Sequence, residues 1–241
     1  DHLDLHSFPT RRSSDLAIPK NLEPGLTDDE LRQIRLKLDA AGLRLLTYYL
    51  QDIPGDEAGC RRVFEFGRKL GIETFMSEPA VEALDTIERF ADLYGIRVAL
   101  HNHDAKGSPH YWHPEKVLQV VRGRSARLGA CADVGYWMRA GIDPVEGIRL
   151  LGDRLITLQM HDLHEFSAVG HDVPWGTGVG RAEEVFRELH RLGVRPAMIG
   201  LEYSHNFLES LPEVKRCVDF FDALSLRSEE HTSELQSPNT I

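Results

Sequence analysis

Five short apolar runs along this chain stop on side chains that can hold a metal or move a proton. They read FMSEP, leading into Glu78; VALHNHD, with His101, His103 and Asp104; ACADVGY, with Asp133; TLQMHD, with Gln159, His161 and Asp162; and IGLEYSH, with Glu202 and His205. Burying such groups without partners costs several kcal/mol each, a cost that a shared metal or substrate offsets. Taken singly, several have an ordinary use. Glu78 ahead of Pro79 suits a helix cap, His103 and Asp104 suit bonding within their own loop, and Asp162 and His205 suit supporting or surface roles. His101, Asp133, Gln159 and Glu202 end four successive runs, and that repetition points to a common site.

The elements that must position these residues follow from periodicity. A capping box at Thr27–Glu30 opens a first helix that closes at Gly42. Strands are expected at 43–50, 72–76, 96–101, 128–132, 155–160 and 197–201. Between them run helices carrying Val63, Phe66 and Leu70; Val81, Leu84, Ile87 and Ala91; a first-turn Pro114; an Asp143-Pro144 start; and Val185, Phe186, Leu189 and Leu192. A last helix carries Val214, Val218, Phe221 and Leu224. Six strands alternating with seven helices read as βαβ units and a parallel sheet. No glycine-rich turn follows the first strand, which disfavours a doubly wound nucleotide fold. GTGVG at 176–180 follows a loop and reads as a turn, not a phosphate cradle. In a (β/α) barrel the carboxyl ends of the strands form the catalytic face, where all five polar endings fall.

Composition narrows the partners. Acids outnumber Lys plus Arg by 38 to 28, a net charge of −10 that argues against nucleic acid. Cys60, Cys131 and Cys217 show no CxxC spacing and read as reduced core thiols. No run approaches the ~18 apolar residues that span a bilayer. Residues 6–16 (HSFPTRRSSDL) and 227–237 (RSEEHTSELQS) resemble conceptual translations of sequencing adapters. Segments 1–16 and 227–241 are therefore expected to be artefactual tails around one domain at 17–226. A truncated start leaves the compartment open, cytoplasmic by default.

SEP at 77–79, HNHD at 101–104, HYWHPE at 110–115, GRSARLGACADVGYWMRAGIDP at 123–144, HDVPWGTG at 171–178 and LEY at 201–203 give residues 27–225 a specific likeness. The chain resembles the xylose-isomerase-like barrel family of sugar phosphate isomerases and epimerases. That resemblance implies an α/β fold, a (β/α)8 TIM barrel, here with about six of the eight strands and the first two missing. It also implies one divalent metal on Glu, Asp, His and Glu of the last four strands. Asp133 matches the Asp and Glu202 the final Glu. His101 stands at the first Glu, Gln159 at the His, and His161 at the Lys of the family's HxKD.

The resemblance thus implies a metal on His101, Asp133, Gln159 and Glu202, with Mn²⁺ expected ahead of Co²⁺, Mg²⁺ or Zn²⁺. Glu202 is the expected base beside a carbonyl, giving an enediolate, with His161 or His103 delivering a proton. Glu78, Trp112, Tyr136 and Trp175 are expected to contact the substrate, a small sugar or sugar phosphate, and a homo-oligomer fits the family. The substituted ligands also suit a keto-glycoside lyase working by β-elimination, or a non-catalytic metal- or sugar-binding relative. A Schiff-base aldolase would need a barrel lysine, but Lys20, Lys37, Lys69, Lys106, Lys116 and Lys215 all fall on helices or loops.

Overall fold

The computed structural model describes residues 20–235, with side chains through residue 225. The expected tail 1–16 and residues 236–241 lie outside the described residues. Helix α1 (Asp28–Ala40) begins as its capping box requires: Thr27 Oγ1 accepts from the Glu30 amide at 3.3 Å, and the Glu30 carboxylate accepts from the Thr27 amide at 2.8 Å. Strand β1 (Thr47–Tyr49) is shorter than the expected 43–50, because its partner β2 (Thr74–Ser77) faces only those three residues. Helix α2 (Glu57–Leu70) lies between them and ends at Gly71, whose φ of +76° favours glycine.

After a single 3₁₀ turn come α3 (Leu84–Tyr94) and β3 (Arg97–His101), then α4 (Pro114–Val121) with its proline in the first turn, and β4 (Leu128–Asp133). A helix that periodicity misses, α5 (Val134–Arg139), follows directly, capped by Asp133 accepting from the Tyr136 amide at 2.9 Å. Helix α6 (Pro144–Leu151), β5 (Leu155–Met160), α7 (Ala182–Leu192), β6 (Met198–Leu201) and α8 (Leu211–Leu235) complete the order. Eight α-helices therefore stand where seven were expected among the described residues. Helix α8 also runs through 235, into the segment expected to be a tail.

All six strands are parallel, in the order β1 to β6, and form a half-barrel. The six expected strands are the six observed. Their two faces pack separately. Outward residues such as Phe75, Leu100, Leu128, Ala132 and Leu158 join the large core beneath the helices. Inward, Met76, Ala99, Cys131 and Ile156 form a small second cluster under the strand ends. Between β4 and β5 the register slips, Ala130 pairing with Leu155 but Cys131 with Thr157, which sets Asp133 beside Gln159. Such bulges re-aim side chains next to functional sites. No helix among the described residues is long and apolar enough to cross a membrane.

Candidate active site

Side chains two residues apart on a strand share a face. Met76, Ala99 and Cys131 point inward, so Glu78, His101, His103 and Asp133 point inward beyond them. Gln159 and His161 share a face in the same way, and Glu202 continues β6. The structure brings all seven to the carboxyl ends of the strands, where two donor groups stand out. Donor atoms of Asp133, His161 and Glu202 lie within 4.8 Å of one another, as do those of Glu78, His101 and His103.

His161 is fixed by a residue that sequence reasoning passes over. Its Nδ1 lies 2.7 Å from Asp172 Oδ1, while Asp172 Oδ2 accepts from the Ser204 amide at 2.9 Å and its hydroxyl at 2.6 Å. The carboxylate can only accept, so Nδ1 carries the hydrogen. Nε2 is left facing Asp133 Oδ1 at 3.6 Å and Glu202 Oε2 at 3.8 Å. Burial opposes a charge on His161, yet Asp133 leads a set of neighbours that raises its pKa well above 6.5. Burial likewise pushes the Asp133 carboxyl up, and the imidazoles of His161 and His101 hold it below its usual range. Gly135 makes room for the ring: a Cβ there would sit 2.7 Å from His161 Cγ.

Asp133 is positioned through its backbone. The Asn102 amide donates to the Asp133 carbonyl at 3.0 Å, and Asn102 Oδ1 accepts from the Asp133 amide at 2.9 Å, a clamp also absent from the sequence reading. Gln159, expected as a ligand, turns its Oε1 to His101 Nε2 at 2.5 Å instead. Gln159 and His161 thus meet different partners in this geometry, His101 for the one and Asp172 for the other. Both occupy one face two residues apart, and only Asp172 distinguishes them.

Glu78, expected to contact substrate, stands 2.5 Å from His103 Nδ1 and 3.4 Å from His101 Nδ1. Burial raises its pKa, but the two imidazoles hold it well below the carboxylate range. The Tyr136 ring meets His103 edge-on at 4.9 Å between centroids. Trp112 packs on His113 in the β3–α4 loop. Trp175, expected at the substrate, is 5% exposed and packs on Phe186 in the helix-side core. Asp162 is buried and accepts from the amides of Gly176, Gly178 and Gly180 at 2.8–3.0 Å, so its own carboxylate fills the concavity of the GTGVG turn. Asp104 accepts from the Lys106 and Gly107 amides within its loop, as its ordinary reading expects. His205 stacks on His171, which stacks on His164.

Parallel strands, outer helices and a polar inner rim at the carboxyl ends define an α/β barrel protein with its site at the strand ends. The chain belongs to the xylose isomerase-like TIM barrel family, whose profile matches residues 15–224. Among solved structures it is similar to an uncharacterized protein from Parabacteroides distasonis ATCC 8503, at 29% identity and TM-score 0.65 over 85% of this chain and 80% of that one. An L-ribulose 3-epimerase matches in fold at 14% identity and TM-score 0.66, covering 91% of this chain and 86% of that one. A 3-keto-D-glucoside 4-epimerase from E. coli does so at 13% and 0.61, covering 85% and 87%. No curated protein sequence matches the chain.

Proposed function

We propose that this chain is a divalent-metal-dependent sugar isomerase or epimerase that removes a proton from the carbon beside a carbonyl. The observation that carries this reading is the meeting of Asp133, His161 and Glu202. Asp133 Oδ2 and His161 Nε2 are buried and make no hydrogen bond, which costs free energy that a cation recovers. Two carboxylates suit a hard ion such as Mn²⁺, and the single imidazole is compatible with it. Sugar epimerases among the proteins of like fold support the substrate class.

The bound cation would supply Lewis-acid polarisation of the carbonyl and stabilise negative charge on its oxygen. This chain's residues do the rest. Asp172 holds His161 with Nε2 inward, the arrangement in which an outer carboxylate orients a ligating histidine. Asn102 clamps the Asp133 backbone. Glu202 is the most open carboxylate of the group, with a side chain 23% exposed against 1% for Asp133, and it takes the proton. Tyr136, edge-on to His103 at the strand ends, would offer its ring to a sugar.

Solvent-deuterium exchange into candidate ketoses tests this directly. Exchange is expected to require added Mn²⁺ and to fall by about 10²–10⁴-fold in Glu202→Gln, the usual scale for a lost general base. Undiminished exchange in that variant would remove Glu202 from the role.

A further inference from the structure

Helix α5 carries a positive charge outward from the candidate site. Tyr136 and Arg139 stand three positions apart on it, so they share one helix face. The Tyr136 ring meets His103 at 4.9 Å, and the Arg139 guanidinium carbon lies 5.8 Å from the centroid of the same ring, within cation–π reach. Arg139 is half-buried, and its Nε donates to the Gly170 carbonyl at 3.0 Å. Gly170 stands two positions before Asp172, the residue that fixes His161. The guanidinium is therefore tied to the β5–α7 loop and held against the Tyr136 ring.

What it does not meet is a carboxylate. Arg124, Arg149, Arg181 and Arg191 are each paired with Asp or Glu, whereas Arg139 has no acidic partner among the described residues. Acids outnumber Lys plus Arg by 38 to 28 in this chain, so a half-buried arginine without one, beside the site, calls for a ligand. Nε is occupied, which leaves the end of the fork, Nη1 and Nη2. Its paired N–H donors have the geometry that a carboxylate or phosphate takes two at a time. The charge is also felt at the site. Burial raises the pKa of the Tyr136 hydroxyl and Asp133 and Glu202 raise it further, while Arg139 lowers it.

Resting on the isomerase or epimerase reading of the site, we infer that Arg139 sets substrate specificity by binding a phosphate or carboxylate at the end of the sugar away from the reacting carbonyl. Either anion presents paired oxygens to the fork, where a lysine would offer only a point charge. Carboxylates at the strand ends repel an anionic substrate, so the one cation on this helix face also decides where its charged end settles. Arg139 acts on binding and leaves the proton transfer to the strand-end residues.

D-Fructose, D-fructose 6-phosphate and D-fructuronate, which differ only in the group on the terminal carbon, test this. Titration calorimetry of the full chain with Mn²⁺ is expected to show tighter binding of one or both anions than of D-fructose, and the tighter anion identifies the group. Arg139→Gln is expected to weaken that anion about 10–100-fold relative to D-fructose, the scale of a lost charge-assisted pair. In solvent-deuterium exchange the loss is expected in KM rather than kcat. Equal affinity for all three sugars, or an equal loss for all three in Arg139→Gln, would overturn the assignment. Anion binding that depends on Arg139, without exchange into any of the three, would overturn the proposed reaction and leave the anion site standing. Should Arg139→Gln fail to fold by circular dichroism, Arg139→Lys carries the same reading, because it keeps the charge and loses the paired donors.

Discussion

At the scale of single residues, the site depends on which nitrogen each histidine presents. Asp172 sets that choice for His161, so Asp172→Asn is expected to weaken Mn²⁺ binding about 10–100-fold, measured by equilibrium dialysis. Gly135→Ala acts on the same ring from the other side, by driving a methyl group into it. That overpacking is expected to cost about 1–3 kcal/mol of stability in denaturant titration and to lower Mn²⁺ affinity with it. Asp133 and Glu202 were legible in the sequence, because each follows an apolar strand and the two-residue period fixes the face it points to. The different partners of Gln159 and His161 were not legible. Both satisfy that period, and the residue that separates them lies eleven positions downstream in a loop without regular pattern.

At the scale of elements, two loops at the strand ends are held by side chains rather than by packing. Asp162 gathers three glycine amides of the 176–180 turn. Asp162→Ala would leave those donors unpaired and is expected to cost about 2–4 kcal/mol, read as a lowered Tm. The β5–α7 and β6–α8 loops also meet through the stacked rings of His164, His171 and His205. Burial, then His164 and His205, lower the pKa of His171 below 6.5, against a weaker pull from Asp172 and Glu165. On acidification the unfolded chain therefore takes up that proton first. The contribution is whole above the ordinary histidine value and is lost as pH falls toward the folded one. His171→Asn is expected to flatten the fall of Tm between about pH 7.5 and 5.5. The sequence carried the long amphipathic helices but not α5, whose six residues, VGYWMR, are too few to establish a period.

For the whole molecule, burial is graded across the sheet. Strands β2, β4 and β5 are buried at every residue, whereas β1 and β6, at the two ends of the order, are half-buried throughout. Amide exchange is expected to be slowest in β2, β4 and β5 and fastest in β1 and β6, a gradient that exchange mass spectrometry would resolve. Equal protection in all six strands would contradict it. The parallel order itself was readable from alternating strand and helix patterns, since parallel neighbours need a crossover between them. The bulge between β4 and β5 was not, because nothing in the local sequence marks one extra residue in a buried strand.

The division of each strand into an outer face on the large core and an inner face on a small apolar cluster separates two kinds of mutational risk. Odd and even positions of one strand answer to different selective demands, the outer ones to folding and the inner ones to chemistry. New ligands or altered specificity are thus reachable by substitutions along alternate residues while the foundation under the helices stays untouched.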